Sequence, residues 1–267
     1  MTSRRVPESN REWIYWGQHD PFYGVCSVLG KSKTNANPWT ETDFYERAIP
    51  EFATNLRHWE QYGIVRESCV EIGCGAGRMT RCLQSVFSTV HACDISPGML
   101  ALVRKACDPN IVKIWQIDGC RLPLPDCSVT GAYSTIVFQH FHSPRLGLAY
   151  FAEVYRVLKS GGTFMINLPW HQFPNSTIQW PHRLADRMAR GYDSLIQGFQ
   201  RTLIALGPRV MNTRIGRHFG LFMGNMSWDF RSLVEGLGKM GFRDVEVNSY
   251  YVLIEESHHP FFFGRKP

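Results

Sequence analysis

An α/β fold, with helices on both faces of a largely parallel sheet, is what the sequence predicts, and three observations predict it. From about Ser68 onward, short β-type runs alternate with helical runs, the signature of strands joined by crossover helices. The stretch "CVEIGCGAGRMTRCL", Cys69 to Leu83, sets glycines at alternating positions between an apolar run and a helix-forming run, as at a strand-to-helix turn where backbone must approach a ligand. A chain of 267 residues that is 44% hydrophobic can bury one large core, or one core with a sub-domain.

Residues 1–63 precede the alternation as an N-terminal aromatic and helical cap. Their cluster "EWIYWGQHDPFYGV" is followed by "TETDFYERAIPEFATNLRHWEQYG", where Thr40 and Asp43 have the spacing of a capping box. Trp13, Tyr15, Trp16, Phe22 and Tyr23 read first as packing residues, and a segment covering a ligand needs the same apolar inner face. The main domain then spans residues 64–267. "SCVEIG" is the first strand, Arg78 to Phe87 a helix, and "STVHAC" the second strand. "SPGMLALVRKAC" is a helix with Ser96 as cap and Pro97 in its first position. "NIVKIWQI" and "SVTGAYS" are the third and fourth strands, and "PRLGLAYFAEVYRVLKSGG" is a helix stopped by glycines. "TFMINL" is the fifth strand. After an interruption come the amphipathic helix "SWDFRSLVEGLGKMGF" and two runs, "RDVEVNSYY" and "HHPFFFGRKP", that close the sheet. The interruption, residues 171–226, carries helical periodicity in "HRLADRMARGYDSLIQGFQRTLIALG" and reads as a helical lid insertion, since so long a loop without structure is unusual.

Composition excludes several classes. No run approaches the roughly 18 apolar residues of a membrane helix, and the start "MTSRRVPESNREW" is too polar for a signal peptide, so the expected location is the cytoplasm, with no membrane partner. Seven of the eight cysteines crowd between Cys69 and Cys127 without CxxC or zinc spacing, which reads as free thiols and no metal site. A net charge of +6 suits an anionic partner, but the Lys and Arg residues are scattered, which argues against nucleic acid. Nothing in the sequence fixes the oligomeric state.

Two ligand classes compete for the glycine turn. A dinucleotide needs GxGxxG, whereas Gly73, Gly75 and Gly77, with Cys74 inside the turn, give GxGxG and put Arg78 where the third glycine belongs. Glu71 adds a carboxylate at the strand end that suits a ligand ammonium better than a pyrophosphate, and S-adenosylmethionine has such an ammonium. Asp94, ending the second strand, can accept from both hydroxyls of a ribose in either class. In "IDGCRLPLPD", Asp118 can accept from an adenine amine and the backbone N–H of Cys120, beyond Gly119, can donate to the ring, while Ile95 and Met99 can sandwich it.

The set "VEIGCGAGR", "CDISPGML", "IDGCRLPLPDCSV", "STIVFQHF" and "RVLKSGGTFMINLP", in this order, resembles the class I S-adenosylmethionine-dependent methyltransferases over about residues 64–170 and 227–267. The resemblance implies a doubly wound, Rossmann-like mixed sheet of seven strands with the last antiparallel. It also implies that Glu71 and the Gly73 to Gly77 turn hold the methionine part, Asp94 the ribose and Asp118 the adenine of S-adenosylmethionine, which leaves as S-adenosylhomocysteine. The expected activity is methyl transfer to a small-molecule O-, N- or S-nucleophile. Transfer to protein or RNA, and non-catalytic binding of an adenosyl ligand, stand as alternatives. No Asn/Asp-Pro-Pro-[Tyr/Phe] stretch follows the fourth strand, which lowers the nucleic-acid case.

Each assignment has a structural alternative beside it: a ligand-free turn for the glycines, helix capping for Asp94, an ordinary Asp-Gly turn for Asp118. His140, and after it His142, follow the fourth strand where the donor methyl should point, and either can serve as general base or simply orient backbone.

Overall fold

The computed structural model describes residues 8–28, 30–141, 143–168, 230–252 and 257–267, all within the unit formed by residues 1–170 and 226–267. His142 and the expected lid over residues 171–226 lie outside the described residues.

Ahead of the sheet stand α1 (Glu8–His19), α2 (Pro21–Val25), α3 (Glu41–Glu46) and α4 (Ala48–Tyr62). Thr40 caps α3 as its spacing predicts, its hydroxyl accepting the Asp43 N–H at 3.1 Å. α4 stops at Gly63, whose φ of 92° is the left-handed turn that glycine adopts without steric cost.

The predicted alternation follows as β1 (Ser68–Ile72), α5 (Thr80–Leu83), β2 (Thr89–Asp94), α6 (Pro97–Ala106), β3 (Val112–Gln116) and β4 (Val129–Ser134). A 3-10 turn (Phe138–His140), α7 (Pro144–Val157), β5 (Leu158–Asn167), α8 (Phe230–Met240), β6 (Arg243–Val252) and β7 (Ser257–Arg265) complete it. The strands lie in the order β3-β2-β1-β4-β5-β7-β6. β1 to β5 run parallel, and β7 pairs antiparallel with both β5 and β6.

β1 and β4, at the centre of the sheet, are buried along their whole length, polar Ser68, Glu71, Thr130 and Ser134 included. Val70 and Ile72 face a core built with Phe151, Val154 and Phe242. Cys69 faces the opposite core, with Trp59, Leu83 and Phe87. Trp59 of α4 anchors that second core, stacking on Tyr133 at 5.7 Å and donating its indole N–H to Thr163 Oγ1 at 3.0 Å. A Cβ on Gly131 of β4 would stand 3.2 Å from the Trp59 and Phe87 rings, so a side chain there would displace them.

Three boundaries differ from the sequence expectation. The helix expected over Arg78 to Phe87 is α-helical only from Thr80 to Leu83, with i→i+3 bonds such as Cys82 N–H to Met79 and Val86 N–H to Leu83 on either side. α7 ends at Val157, ahead of the glycines expected to stop it. Its terminal carbonyls on Arg156 and Val157 are taken by the N–H groups of Cys127 and Ser128, so the strand entering the sheet supplies the cap and β5 begins at once. Ser96 occupies the N-cap position of α6 without its side chain capping the helix; its hydroxyl is buried under α1 instead.

Candidate active site

The carboxyl ends of β1, β2 and β4 converge on the glycine turn, the place where open α/β sheets bind ligands. Gly73, Gly75 and Gly77 have φ of 72°, 51° and 86°. The N–H groups of Gly73 and Cys74 both donate to the Cys93 carbonyl, at 2.8 and 3.0 Å, which folds the turn onto β2. The space that a Cβ would need is filled by the protein: Val137 lies 2.5 Å from a Cβ placed on Gly73, Val25 2.7 Å from one on Gly75, and Val103 3.2 Å from one on Gly77. By sequence, that bareness is expected to admit a ligand. The structure gives it first to three valines, from the turn after β4, from the N-terminal segment and from α6.

Glu71 is buried and accepts the Thr80 hydroxyl at 2.6 Å. Burial pushes its carboxyl up to about 8, with the Thr80 hydroxyl pulling it down and Asp94 adding to the rise. Asp94, at the end of β2, is buried as well; Oδ2 accepts the Gly75 N–H and Oδ1 the Ser96 N–H, each at 2.8 Å. Burial raises its pKa, while the N–H groups of Ser96, Gly75 and Ile95 favour the charged form. Asp94 thus holds the N–H of Ser96, the residue at the N-cap position of α6, whose own side chain does not cap the helix.

The Cys120 N–H departs from the expectation. The Cys120 N–H, expected to donate to an adenine ring, is held by Asp118 Oδ1 at 2.9 Å around Gly119, whose φ is 85°. This is the Asp-Gly turn that stood as the structural alternative. Nor are Ile95 and Met99 paired across one space: Ile95 packs against the core of α7, whereas Met99 is buried among Trp16, Phe22, Tyr23 and Val25. Cys74 is a buried thiol raised well above its ordinary value by burial, Cys120 is exposed, and all eight cysteines are free.

His140 is half-buried in the turn after β4, its ring 4.7 Å from that of Trp13 on α1. Two residues of this turn escaped the sequence reading. Ile136 holds a φ of 57°, a left-handed conformation that a β-branched residue rarely adopts, and its N–H donates to Asn167 Oδ1 at 3.1 Å. Gln139 is 6% exposed, and its Oε1 is buried without a hydrogen-bond partner.

The N-terminal segment lies against this site. A Cβ on Gly17 of α1 would run into Ser96 Oγ, and one on Gly98 into the Gly17 carbonyl, so α1 and α6 meet backbone to backbone. The Tyr45 hydroxyl donates to the Ala76 carbonyl of the glycine turn at 2.9 Å. Arg78, in place of the third glycine of a dinucleotide turn, forms a buried ion pair with Glu51 of α4. On α1 itself Glu12 is half-buried, its Oε1 buried without a hydrogen-bond partner, and desolvation lifts its pKa to about 9 against a smaller opposing effect of the Trp16 indole. An acidic residue one helical turn from Trp16, inside an aromatic cluster, was the signal that could have found it. Among the described residues no cluster suits a metal ion, and no helix is long and apolar enough to cross a membrane.

Residues 70–166 match the family model described as "Methyltransferase domain". A malonyl-[acyl-carrier protein] O-methyltransferase of Serratia marcescens is 30% identical over 101 residues, 38% of this chain and 38% of that protein. A demethylmenaquinone methyltransferase of Tropheryma whipplei is 27% identical over 100 residues, 38% of this chain and 41% of that protein. The matched region thus spans about two fifths of the length of these curated relatives. Among solved structures, Haemonchus contortus phosphoethanolamine N-methyltransferase 2 in complex with S-adenosyl-L-methionine is similar at a TM-score of 0.54 and 19% identity, over 81% of this chain and 53% of that one, a likeness of fold. Residues 70–166 thus match a methyltransferase domain, and the seven-stranded sheet with β7 antiparallel has the fold of S-adenosylmethionine-dependent methyltransferases.

Proposed function

We propose that the protein transfers the sulfonium methyl of S-adenosylmethionine to a small-molecule acceptor, releasing S-adenosylhomocysteine. Asp94 is the observation that carries the reading. A carboxylate offers about four lone-pair sites, and the Gly75 and Ser96 N–H groups use one on each oxygen. With the Ile95 N–H also turned toward the carboxylate, Asp94 is oriented rigidly at the end of β2 with capacity left for a ribose hydroxyl. Glu71, buried with only a hydroxyl against it among the described residues, gains its charged form when an ammonium comes near. Asp118 keeps the capacity to accept from an adenine amine, and Ile95 can lie on the ring, whereas the Cys120 N–H and Met99 are already engaged.

When bound, S-adenosylmethionine supplies a methyl activated by a cationic sulfur. The chain's own part is to bind, align and exclude water, since a donor that loses charge in the transfer gains from a dry, fixed approach. α1 and α2 support water exclusion by packing on α6 and on the glycine turn. His140 is assigned as the base, its imidazole taking the proton of a hydroxyl or other protonated acceptor. Residues 171–226 are assigned from sequence to acceptor selection. The relatives' names, a malonyl-[acyl-carrier protein] O-methyltransferase and a demethylmenaquinone methyltransferase, support methyl transfer as the class.

Calorimetry with S-adenosylmethionine and NAD, followed by labelled-methyl transfer into cell-extract fractions, tests the proposal. The expected result is binding of S-adenosylmethionine but not NAD, and label in the small-molecule fraction. Label in protein or RNA would move the acceptor class, binding without transfer would favour a non-catalytic adenosyl-binding protein, and tight NAD binding would overturn the reading.

A further inference from the structure

We infer that Glu12 reads the charge of the donor sulfur, favouring the cationic cofactor over its neutral product. The inference rests on the proposed methyltransferase reading and concerns a residue outside the glycine, ribose and adenine positions.

Three contacts lay α1 across the carboxyl ends of the strands. Gly17 sits on the Ser96 to Gly98 backbone beyond β2. Trp13 sits on His140 beyond β4. The chain then turns through α2 to set Val25 on Gly75 beyond β1. Glu12 precedes Trp13, so it stands at the His140 end of the helix, about 7.5 Å along the axis from Gly17 and the Asp94 end. Residues beside His140 are those assigned to the reacting sulfur, and those beside Asp94 to the ribose.

At that end two oxygen acceptors are buried without a partner, Glu12 Oε1 and Gln139 Oε1, the latter on a side chain 6% exposed. Buried polar atoms are rarely left unsatisfied in a finished structure, and a carboxyl among them is costly unless a donor or cation completes it. Two such acceptors, with no cation against them among the described residues, suit a positive ligand. No ion pair joins Glu12 to a basic side chain among the described residues, and desolvation, only partly offset by the Trp16 indole, lifts its pKa to about 9, the condition of a carboxyl short of a counter-charge. A sulfonium supplies that charge before transfer and withdraws it afterwards, so a carboxylate there holds the donor and loosens the product. Gln139, a neutral acceptor, adds a dipole without discriminating as strongly.

The test compares S-adenosylmethionine, its amine analogue sinefungin, which is cationic, and neutral S-adenosylhomocysteine, by calorimetry on the native chain and on Glu12→Gln. The amide keeps shape and removes only charge. Expected is a loss of affinity on the order of tenfold for the two cationic ligands, with S-adenosylhomocysteine changed less than twofold. Equal weakening of all three, or of none, overturns the inference while leaving the cofactor reading intact. A native chain that binds none of the three overturns that reading and the inference with it. Should Glu12→Gln not fold, Glu12→Met, which removes the carboxyl at similar length, answers the same question; failure of both to fold would make Glu12 a structural group and equally sink the idea.

Discussion

Asp94 does two jobs through one carboxylate, and a substitution separates them. Its backbone bonds to Gly75 and Ser96 shape the turn, and the lone pairs left over are those assigned to the ribose. Asp94→Ala should weaken S-adenosylmethionine binding by about 1.5–3 kcal/mol, the worth of a charge-assisted bond, and should lower the melting temperature as well. Calorimetry beside a thermal melt on one preparation reads both, and unchanged affinity would return Asp94 to a purely structural role. His140 gives the converse pattern. Its ring lies on Trp13 and not in the sheet's core, so His140→Ala should lower the methyl-transfer rate by on the order of 10²–10⁴ with cofactor affinity nearly unchanged. A large drop in melting temperature with normal turnover per folded molecule would remove it from the chemistry.

Between elements, the seam of α1 with α6 is set by two glycines, because any Cβ there meets Ser96 Oγ or the Gly17 carbonyl. Gly17→Ala should overpack the seam, cost about 1–3 kcal/mol and expose α1 to limited proteolysis. Gly238 in α8 makes the control, having open space around an added Cβ and no positive φ. Gly238→Ala should stabilise the fold by about 0.5–1 kcal/mol, and urea midpoints moving the same way in both variants would refute the seam argument. The buried Glu51–Arg78 pair joins α4 to the glycine turn in the same fashion. Removing its carboxylate strands a buried guanidinium, so Glu51→Gln should cost about 3–5 kcal/mol in chemical denaturation.

For the whole molecule the buried carboxyls fix how stability depends on pH. Glu71 is pushed up to about 8 and Glu12 to about 9 from the ordinary 4.5, in both cases chiefly by burial. Between about pH 4.5 and pH 8 the folded chain therefore holds protons that the unfolded chain has released. Stability contributed by these groups is full below the unfolded value and is lost as pH rises through the folded ones, by up to about 1.4 kcal/mol per pH unit per group. Urea denaturation from pH 5.5 to 8.5 should show falling stability, and Glu71→Gln or Glu12→Gln should each flatten the slope. A ligand-free protein that grows more stable over this range would contradict the assignment.

By itself the sequence determined what depends on local chemistry. Alternating β-type and helical runs, the GxGxG turn and the Thr40 cap each follow from backbone sterics and short-range hydrogen bonding, and they located the fold and the carboxyl end of its sheet. Only the tertiary structure decided what fills the spaces so prepared. Val25, Val103 and Val137 occupy the bare faces of the three glycines, Arg156 and Val157 find their helix cap in Cys127 and Ser128, and the Ser96 hydroxyl expected to cap α6 is buried under α1 instead. Glu12 becomes a buried carboxyl because α1 crosses the strand ends, a placement no local pattern encodes. Helix periods and turn residues act within a few positions of themselves. Burial, and with it the charge state of an acid, is settled by segments that meet from far along the chain.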